Sequence, residues 1–362
     1  MHLSFFINFS SKVTEMKNTP KNVYIPKSPL IVSLEITTQC NLNCPHCLAE
    51  AGSEGENLPI DLALSIIDES ANIGVNDLIL GGGEPLLYEN FFKVCEYAIV
   101  RGLNLSFVTN GTLIPENISS LMKLQKFAKD HNRSLRVGVS LDGHTPEIHG
   151  YFRPKETFKD VIKAINTLQK ANIEVYILCV LNKVNIRVIP EFLSFISKMD
   201  IRKVRLLPFM PIGRGKRYKE EMLTPEELYY ILQKKHEWNR IFSVNVGLSL
   251  PWEFLFLPPE KRNPSPCVAG YLRLWINSKG DMFPCAYMPD VTIGNVEYDS
   301  IRDVWLNSPI LKKLRDPTLL KGPCSTCTYR DGCRGGCRGL AYFLEGDYLC
   351  SDPYCPIVNQ RK

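Results

Sequence analysis

From residue 30 to about 211 the chain alternates short apolar runs with segments of helical periodicity, and this repetition constrains its fold most strongly. Six apolar runs are rich in Val, Ile and Leu with little polar alternation, which is typical of parallel strands covered on both faces. They span residues 30–38, 77–82, 104–109, 136–141, 174–181 and 203–209. Six strand–helix units in series predict a parallel α/β fold, either an open sheet or a partial barrel.

The segments between the predicted strands have helical spacing, most clearly over residues 60–73, 91–101 and 158–170. Pro59 lies where the first of these begins, which suits the first turn of a helix. A second helix start is predicted at Thr224, since Thr-Pro-Glu-Glu is a typical capping sequence.

The character of the chain changes after Pro258-Pro259, where strand–helix alternation stops and Pro, Gly and Cys become frequent. We therefore expect a second, small domain that is built around its cysteines. The predicted parts are an N-terminal extension over 1–29, an α/β core over 30–215, a linking helix and strand over 216–259, and the cysteine-rich domain over 260–362.

Composition excludes several classes of protein. The net charge of +5 arises from 43 basic and 38 acidic residues, which is too mild a balance for a typical nucleic-acid-binding protein. No apolar run approaches the roughly 18 residues that a membrane helix needs, and the N-terminus does not resemble a secretion signal. We expect a cytoplasmic protein that binds neither nucleic acid nor membrane.

Cysteine is the unusual component, with 13 residues in all and seven of them between Cys285 and Cys355. A short secreted protein would use such residues for disulfides. In a long chain without a secretion signal, metal or redox chemistry is expected instead.

The first cysteine cluster follows the first predicted strand directly. Cys40, Cys44 and Cys47 have C-x3-C-x2-C spacing, so three thiolates within eight residues could hold three irons of a [4Fe–4S] cluster. The fourth iron would then be open to an outside ligand. From the cysteines alone, a zinc site that includes His46, or unligated thiols, remain alternatives.

Polar residues also follow the next three predicted strands, in the sequences Gly81-Gly82-Gly83-Glu84-Pro85, Thr109-Asn110-Gly111 and Ser140-Leu141-Asp142-Gly143. Taken alone, the first of these sequences is more typical of a glycine-rich turn than of a binding site. Because α/β folds bind ligands at the carboxyl ends of parallel strands, four polar strand ends together predict a binding site. Glycine would allow close approach to a ligand there, and Glu84 could accept hydrogen bonds from an ammonium group.

The C-x3-C-x2-C motif after the first strand and the GGGEP motif after the second resemble those of the radical S-adenosylmethionine (SAM) superfamily. The resemblance implies a partial (β/α)6 TIM-like barrel, a [4Fe–4S] cluster on Cys40, Cys44 and Cys47, and SAM on the open iron. It implies the following SAM contacts: His46 at the adenine, Gly82, Gly83 and Glu84 at the amino group, Thr109 and Asn110 near the ribose, and Ser140 and Arg153 at the ribose and carboxylate.

The second cysteine array comprises Cys267, Cys285, Cys324, Cys327, Cys333, Cys337 and Cys355. Pairs of C-x2-C type also occur in zinc ribbons, which are the structural alternative. The spacing resembles the SPASM domain, an auxiliary iron–sulfur domain of radical SAM enzymes. The stretches Gly213-Arg214-Gly215 and Gly294-Asn295-Val296 are also similar to that family.

The SPASM resemblance implies two auxiliary [4Fe–4S] clusters. Its ligand pattern assigns Cys267, Cys285 and Cys337 to an inner cluster, and Cys324, Cys327, Cys333 and Cys355 to an outer one. Many relatives have a further cysteine close to Cys267, and this chain has none. The fourth inner position is therefore expected to be open, to hold a non-cysteine ligand, or to be filled by Cys350. Cys95 and Cys179 are predicted to be packed thiols.

The resemblance is strongest to peptide-modifying members, namely the maturases of mycofactocin and pyrroloquinoline quinone, and to anaerobic sulfatase-maturating enzymes. Oxidative modification of a peptide or protein side chain is the expected activity, with ferredoxin or flavodoxin as electron donor. Because only about 29 residues precede the first strand, a leader-peptide-binding function would lie on a separate chain. An anaerobic haem-pathway enzyme acting on a tetrapyrrole is the alternative, and an iron–sulfur electron carrier without SAM chemistry is a third.

Overall fold

A computed structural model describes residues 25–248 and 250–360. Most of the predicted N-terminal extension, residues 1–24, therefore lies outside the described residues. The strands are β1 (Ile31–Thr37), β2 (Asp77–Gly82), β3 (Asn104–Thr109), β4 (Leu135–Ser140), β5 (Glu174–Leu181), β6 (Lys203–Pro208), β7 (Asn245–Leu248), β8 (Arg273–Ile276), β9 (Asp281–Phe283) and β10 (Gly294–Asn295).

The helices connect these strands and cover the C-terminal region. They are α1 (Ile60–Asn72), α2 (Phe91–Val100), α3 (Ile114–Asp130), α4 (Pro146–His149), α5 (Thr157–Lys170), α6 (Ile189–Lys198), α7 (Pro225–Phe242), α8 (Ile301–Asn307), α9 (Pro309–Arg315), α10 (Arg330–Cys333), α11 (Arg338–Glu345) and α12 (Pro356–Asn359). Short 3-10 turns occupy Pro85–Leu87, Asn185–Val188, Gly213–Glu221, Glu253–Phe256, Pro259–Lys261, Pro317–Leu319 and Gly322–Thr326.

Within the described residues the ten strands form one sheet in the order β10-β9-β8-β1-β2-β3-β4-β5-β6-β7. Strands β1 to β7 are parallel to their neighbours, and β8 is parallel to β1. Only β9 and β10 pair antiparallel. The carboxyl ends of β1 to β6 therefore meet at one edge, as the sequence predicted.

Side-chain alternation gives the sheet two different faces. In β1, Val32, Leu34 and Ile36 are fully buried against the helices, as expected for the covered face of a βα unit. Ser33 and Glu35 point to the opposite face, which we call the inner face. The inner face is the polar one, so it is the face available for ligands.

The predicted strand and helix boundaries agree closely with the structure. The second, third and fifth strands have the predicted bounds, and the others differ by one residue at one or both ends. Helix α7 begins after Thr224, whose side chain and that of Glu227 form the reciprocal hydrogen bonds of a capping box. Cys95 in α2 and Cys179 in β5 are fully buried, which confirms the prediction of packed thiols.

The C-terminal region is joined to the core through the sheet itself. Strand β8 pairs with β1 across about 240 residues of chain, and the Arg273 Nε donates to Ser33 Oγ at 2.6 Å. Strand β7, in the predicted linking segment, extends the other side of the sheet. Among the described residues, no helix has both the length and the apolar character that crossing a bilayer requires.

Candidate active site

The first cysteine cluster lies in the loop that follows β1. The backbone N–H of Cys40 donates to the Gly52 carbonyl at 2.8 Å, and that of Cys47 to the Cys44 carbonyl at 3.2 Å. The three thiols are close enough to interact electrostatically, and burial raises the pKa of Cys40 and Cys44. The structure thus brings Cys40, Cys44 and Cys47 together at the carboxyl end of the sheet.

Arg214, which follows β6 in the chain, is hydrogen-bonded to this loop. Its Nε donates to the Cys44 carbonyl at 3.1 Å, its Nη1 to the Ala51 carbonyl at 2.7 Å, and its backbone N–H to the Cys47 carbonyl at 3.1 Å. The preceding Gly213 has a φ of +59°, and a Cβ there would collide with the Cys47 carbonyl. Gly213 and Arg214 therefore fix the backbone that carries two of the three thiols.

The GGGEP motif packs against the same loop. Gly82 has a φ of +128°, and Cβ atoms on Gly82 and Gly83 would collide with the carbonyls of Thr37 and Gln39. The N–H of Gly83 donates to Thr37 and that of Glu84 to Gln39, at 2.7 and 2.8 Å. The two glycines are thus required for the close approach of β2 to the chain that leads into the cysteine loop.

Glu84 is fully buried and links the ends of β2 and β3. Its carboxylate accepts hydrogen bonds from Thr109 Oγ1 at 2.8 Å, from the Asn110 N–H at 2.8 Å and from the Leu86 N–H at 3.3 Å. Burial raises its pKa to about 7, against the lowering effect of these donors. A carboxylate with three protein donors still has a free lone pair for an ammonium group.

Thr109 and Asn110 connect Glu84 to the first cysteines. The Asn110 side-chain amide donates to Asn41 Oδ1 at 2.9 Å and lies 3.9 Å from the Cys40 sulfur. One hydrogen-bond network therefore joins the ends of β1, β2 and β3. It brings together the residues at these strand ends that were predicted to contact SAM.

His46 stacks on Phe152, with ring centroids 5.0 Å apart and an interplanar angle of 22°. Its Nδ1 donates to the Phe152 carbonyl at 2.8 Å, which fixes the tautomer. Burial lowers the pKa of His46 to about 4, so the ring is neutral at pH 7. A neutral, oriented ring is suited to stacking on an aromatic base.

Arg153 lies beside the cysteine loop and is held by Asp142, with 2.6 Å between its Nε and Oδ2. Asp142 is fully buried, and its other oxygen accepts from the Val180 N–H at 2.7 Å. Electrostatic interaction with Arg153 lowers the pKa of Cys44, although burial raises it more. Ser140 is also buried, at the end of β4.

The inner cysteines of the second array converge at the inner face of the sheet. Cys337 interacts electrostatically with Cys267 and Cys285, and burial raises the pKa of all three thiols. Cys285 also interacts with Arg273 on β8. These contacts agree with the predicted inner set, whose role as cluster ligands stays a prediction.

The outer cysteines surround a separate pocket under Trp252 and Phe254. Its lining includes all four predicted ligands, Cys324, Cys327, Cys333 and Cys355. Burial raises the pKa of Cys333 and of Cys355 to about 12, so their thiolates require a nearby cation. An iron–sulfur cluster would supply that positive charge.

A buried aspartate and a buried arginine lie between the two sets. Asp352 accepts from the Cys337 N–H at 2.7 Å and from Trp252 Nε1 at 2.8 Å, and Arg338 donates to the carbonyls of Tyr348 and Cys350 at 2.7 and 2.8 Å. Arg338 lowers the pKa of Cys267 and also of Cys324, so its charge acts on both sets.

The contacts recorded for Cys350 are with residues other than the three inner cysteines. Lys321 pairs with Asp347 at 2.6 Å, which raises the pKa of its ammonium group most, and the Cys350 thiol adds a smaller effect in the same direction. The Cys350 carbonyl accepts from Arg338. Nothing in these contacts directs Cys350 toward Cys267 or Cys285.

Among the described residues, none of the three cysteine sets has the geometry of a site for a single metal ion. Among those residues, no group of three or more His, Cys, Asp or Glu residues converges closely enough to bind one ion. Zinc needs its sulfur ligands within about 2.3 Å of one point, whereas a cubane cluster separates its thiolates widely. In each of the three sets the cysteines are grouped, but their sulfurs do not converge on one point. This arrangement fits iron–sulfur clusters better than zinc.

Several residues of the site were not predicted as functional from the sequence. Arg214 lies in a stretch similar to the family, and Asp142 in a polar strand end, but no pattern indicated that they contact Cys44 and Arg153. Asp352 belongs to the closing sequence Asp352-Pro353-Tyr354-Cys355, which is similar to that of SPASM domains, but no role was predicted for it. Arg338 carried no sequence signal beyond its nearness to Cys337. A charged residue within a few positions of a ligand motif is a sequence signal that could have indicated these four residues. Such a residue is expected to be buried with the motif and therefore to have a specific partner.

Comparison with known proteins supports the predicted family. Residues 34–196 match the radical SAM superfamily, and residues 267–328 match the SPASM iron–sulfur cluster-binding domain. An AdoMet-dependent heme synthase from Methanosarcina barkeri is 31% identical over 92% of this chain and 98% of that protein. Mycofactocin maturase MftC from Mycolicibacterium smegmatis is 27% identical over 91% of this chain and 83% of that protein.

The crystal structure of Streptococcus suis SuiB bound to its precursor peptide SuiA has a similar fold. The TM-score is 0.74 at 19% identity, and the match covers 92% of this chain and 77% of SuiB. This likeness confirms the predicted TIM-like α/β core with its cysteine-rich domain. The relatives are enzymes, which does not favour the electron-carrier alternative. The chain therefore belongs to the radical SAM superfamily, as a SPASM-domain enzyme that uses SAM, one [4Fe–4S] cluster for radical chemistry and two auxiliary [4Fe–4S] clusters.

Proposed function

We propose that this chain is an AdoMet-dependent haem synthase, a radical SAM enzyme whose substrate is a tetrapyrrole. The observation that carries the proposal is the match to the Methanosarcina barkeri enzyme of that name, which extends over nearly the whole of both chains. Two further proteins of the same name, at 23% and 24% identity, match over 92% and 91% of this chain. The tetrapyrrole alternative is thereby favoured over the peptide alternative.

In this proposal Cys40, Cys44 and Cys47 hold three irons and leave the fourth for SAM. When bound there and reduced, such a cluster would supply the one-electron chemistry that cleaves SAM and allows hydrogen abstraction from the substrate. Glu84 receives the SAM ammonium group, and His46 presents a neutral ring to the adenine. These roles rest on the contacts at the ends of β1 and β2.

The other residues predicted to contact SAM are assigned to its ribose, amino group and carboxylate. Thr109 and Asn110 hold Glu84 and line the ribose, and Gly82 and Gly83 shape the approach to the amino group. Arg153, oriented by Asp142, provides a guanidinium for the SAM carboxylate, and Ser140 contributes its hydroxyl at the ribose. A ferredoxin or flavodoxin is the external electron donor.

Oxidation of a substrate by hydrogen abstraction leaves one further electron to remove. Cys267, Cys285 and Cys337 would hold the inner auxiliary cluster, and Cys324, Cys327, Cys333 and Cys355 the outer one. When bound, these clusters would supply acceptors for that electron. Arg338 and Asp352 lie between these sets, where their charges act on both. This arrangement suits one-electron transfer between the inner and outer sites.

The test is product analysis with the anaerobically reconstituted enzyme, SAM, a reductant and an iron porphyrin that carries four propionate side chains. We expect haem, identified by its mass, together with 5′-deoxyadenosine. A Cys40→Ala/Cys44→Ala/Cys47→Ala variant, which retains the auxiliary cysteines, is the matched control and should form neither product. Formation of 5′-deoxyadenosine by the wild type without change of the porphyrin would contradict the proposal.

Peptide maturation is the second candidate, since mycofactocin maturases are also among the relatives and SuiB was solved with a precursor peptide. In that case a separate leader-peptide-binding protein would present the substrate. The same assay with a short precursor peptide in place of the porphyrin distinguishes the candidates, because a mass change of the peptide would favour maturation.

A further inference from the structure

A buried histidine, His149 at the end of α4, joins the chain after β4 to the start of α5. The backbone N–H of Asp142 donates to His149 Nδ1 at 3.3 Å, and His149 Nε2 lies 3.1 Å from Thr157 Oγ1. Thr157 Oγ1 donates in turn to the Pro154 carbonyl at 2.6 Å. His149 has no exposed surface and Thr157 is 5% exposed, so water does not compete for these hydrogen bonds.

The two ends of this chain of hydrogen bonds fix the direction of every bond in it. The Asp142 N–H can only donate, and the Pro154 carbonyl can only accept. His149 Nδ1 is therefore the acceptor, and Nε2 carries the proton and donates to Thr157. Burial lowers the pKa of His149 to about 4, so the neutral ring that this arrangement requires is the form present at pH 7.

The same hydrogen bonds close a ring around Arg153. On one side, Arg153 Nε donates to Asp142 Oδ2 at 2.6 Å. On the other side, Thr157 holds the carbonyl of the next residue, Pro154. His149 carries that link back to the Asp142 N–H. Arg153 is thus anchored both at its guanidinium group and at its backbone, and both anchors lead to Asp142.

Asp142 can serve as the fixed point of this ring because it is held from other directions as well. Its Oδ1 accepts from the Val180 N–H at 2.7 Å, and its carbonyl accepts from the Asn185 side-chain amide at 3.0 Å. An arginine side chain has several rotatable bonds, so a hydrogen bond at its tip alone leaves the guanidinium position loosely defined. A second anchor at the backbone reduces the conformational entropy that a bound anion would otherwise have to remove.

We propose that His149 is a positioning residue, which holds Arg153 in place for the SAM carboxylate. The inference rests on the contact proposed above between Arg153 and that carboxylate, and it is the same for a tetrapyrrole and for a peptide substrate. His149 is buried behind Asp142, so it acts through Arg153. Simple core packing is the competing explanation, because the His149 ring also lies edge-on to Phe158 with centroids 5.8 Å apart.

The experiment compares the binding of SAM and of decarboxylated SAM to the anaerobically reconstituted holoenzyme by isothermal titration calorimetry. Decarboxylated SAM keeps the adenosine, the sulfonium and the amino group but offers no carboxylate to a guanidinium group. Arg153→Met should weaken SAM binding about tenfold or more and should not weaken the binding of decarboxylated SAM. This variant tests the contact on which the inference rests.

Two substitutions break the ring at different places. His149→Phe keeps a ring of similar shape and removes both hydrogen bonds of His149, so SAM binding should weaken about tenfold. Thr157→Val removes one hydroxyl and leaves the Thr157 N–H on the Pro154 carbonyl, so a loss of about threefold is expected. In both variants the affinity for decarboxylated SAM and the iron content should equal those of the wild type.

Thr167→Val is the matched control, since it makes the same substitution in α5. The Thr167 hydroxyl donates to the Lys163 carbonyl at 2.8 Å in an exposed part of that helix, away from the ring around Arg153. Its loss should change neither affinity.

A double-mutant cycle separates positioning from a general effect on the fold. If His149 acts through Arg153, His149→Phe should cause no further loss of SAM affinity when Arg153 is already Met. The same holds for Thr157→Val, which changes a single hydroxyl and decides the question if His149→Phe does not fold.

The possible failures are distinguishable. If Arg153→Met binds SAM as the wild type does, the Arg153 contact is refuted and the positioning role with it, while the tetrapyrrole proposal is unaffected. If Arg153→Met loses affinity but Thr157→Val and His149→Phe do not, the positioning role is refuted and the contact stands. Equal weakening of SAM and decarboxylated SAM, or losses that add to that of Arg153→Met, would also refute positioning and assign His149 to the stability of the fold.

Discussion

The Nε of Arg214 donates a hydrogen bond to the carbonyl oxygen of Cys44, 3.1 Å away and 170 residues earlier in the chain. With the bond from Arg214 Nη1 to Ala51, it ties the loop after β1 to the segment after β6. A cluster ligated by only three cysteines depends on the rigidity of the loop that carries them. This contact is therefore part of the site although Arg214 ligates nothing.

Arg214→Met should make the radical SAM cluster labile, because the Cys44 and Ala51 carbonyls lose their donor. We expect about four irons of roughly twelve to be removed faster by a chelator, with the auxiliary clusters retained. Arg217→Met, at an exposed position of the same 3-10 turn, should release iron as the wild type does. Equal release from both variants would show that the contact has no role in holding the cluster.

SAM affinity should depend on pH through Glu84. Its pKa in the free protein is raised to about 7 by burial, and the bound ammonium group favours the ionised carboxylate. Binding must therefore displace a proton at low pH, and affinity should fall about tenfold between pH 8 and pH 6. Isothermal titration calorimetry at both values measures this.

Glu84→Gln is the control for that pH dependence. The amide cannot ionise, so affinity should be low and nearly independent of pH. Wild-type binding that does not change between pH 6 and pH 8 would mean that Glu84 only links the ends of β2 and β3.

Single substitutions in the second cysteine array should distinguish a ligand of the inner cluster from a cysteine that binds no iron. Cys337→Ser should remove the inner cluster and lower the iron content by about a third. Cys350→Ser should leave the iron content and the auxiliary electron paramagnetic resonance signals intact, because its thiol lies by Lys321. Loss of the inner signal in Cys350→Ser would identify Cys350 as the fourth inner ligand.

Asp352 should matter for stability as well as for the clusters. Asp352→Ala leaves the N–H groups of Cys337 and Trp252 buried without an acceptor, which costs on the order of 3 kcal/mol. Trp252→Phe removes only one of those hydrogen bonds. Anaerobic thermal unfolding should therefore show a larger fall in the midpoint for Asp352→Ala than for Trp252→Phe, and the reverse order would contradict this role.

Much of the fold could be predicted from the sequence because the βα units are strongly periodic. The bounds of β2, β3 and β5 are as predicted, since turn residues and apolar runs change sharply there. The pairing of β8 with β1 could not be predicted, because β8 has four residues and its partner lies about 240 positions away. Short strands carry little periodic signal, and long-range pairing carries none.

The residues of the site also differ in how far they could be predicted from the sequence. Cys40 and Glu84 stand in recognisable motifs, so their chemistry is readable from spacing. Arg214 acts through contacts that form only when the segments after β1 and β6 come together. The burial of Glu84 by Thr109 and Asn110 was likewise hidden, because it depends on how closely β2 and β3 end together.

The most direct test of the account is transfer of a substrate hydrogen to the radical. The anaerobic enzyme is incubated with SAM, reductant and an iron porphyrin whose four propionate side chains carry deuterium on carbon, and the 5′-deoxyadenosine is analysed by mass spectrometry. We predict 5′-deoxyadenosine that contains one deuterium and forms only when the porphyrin is present. Unlabelled 5′-deoxyadenosine, formed equally fast with and without the porphyrin, would contradict the account.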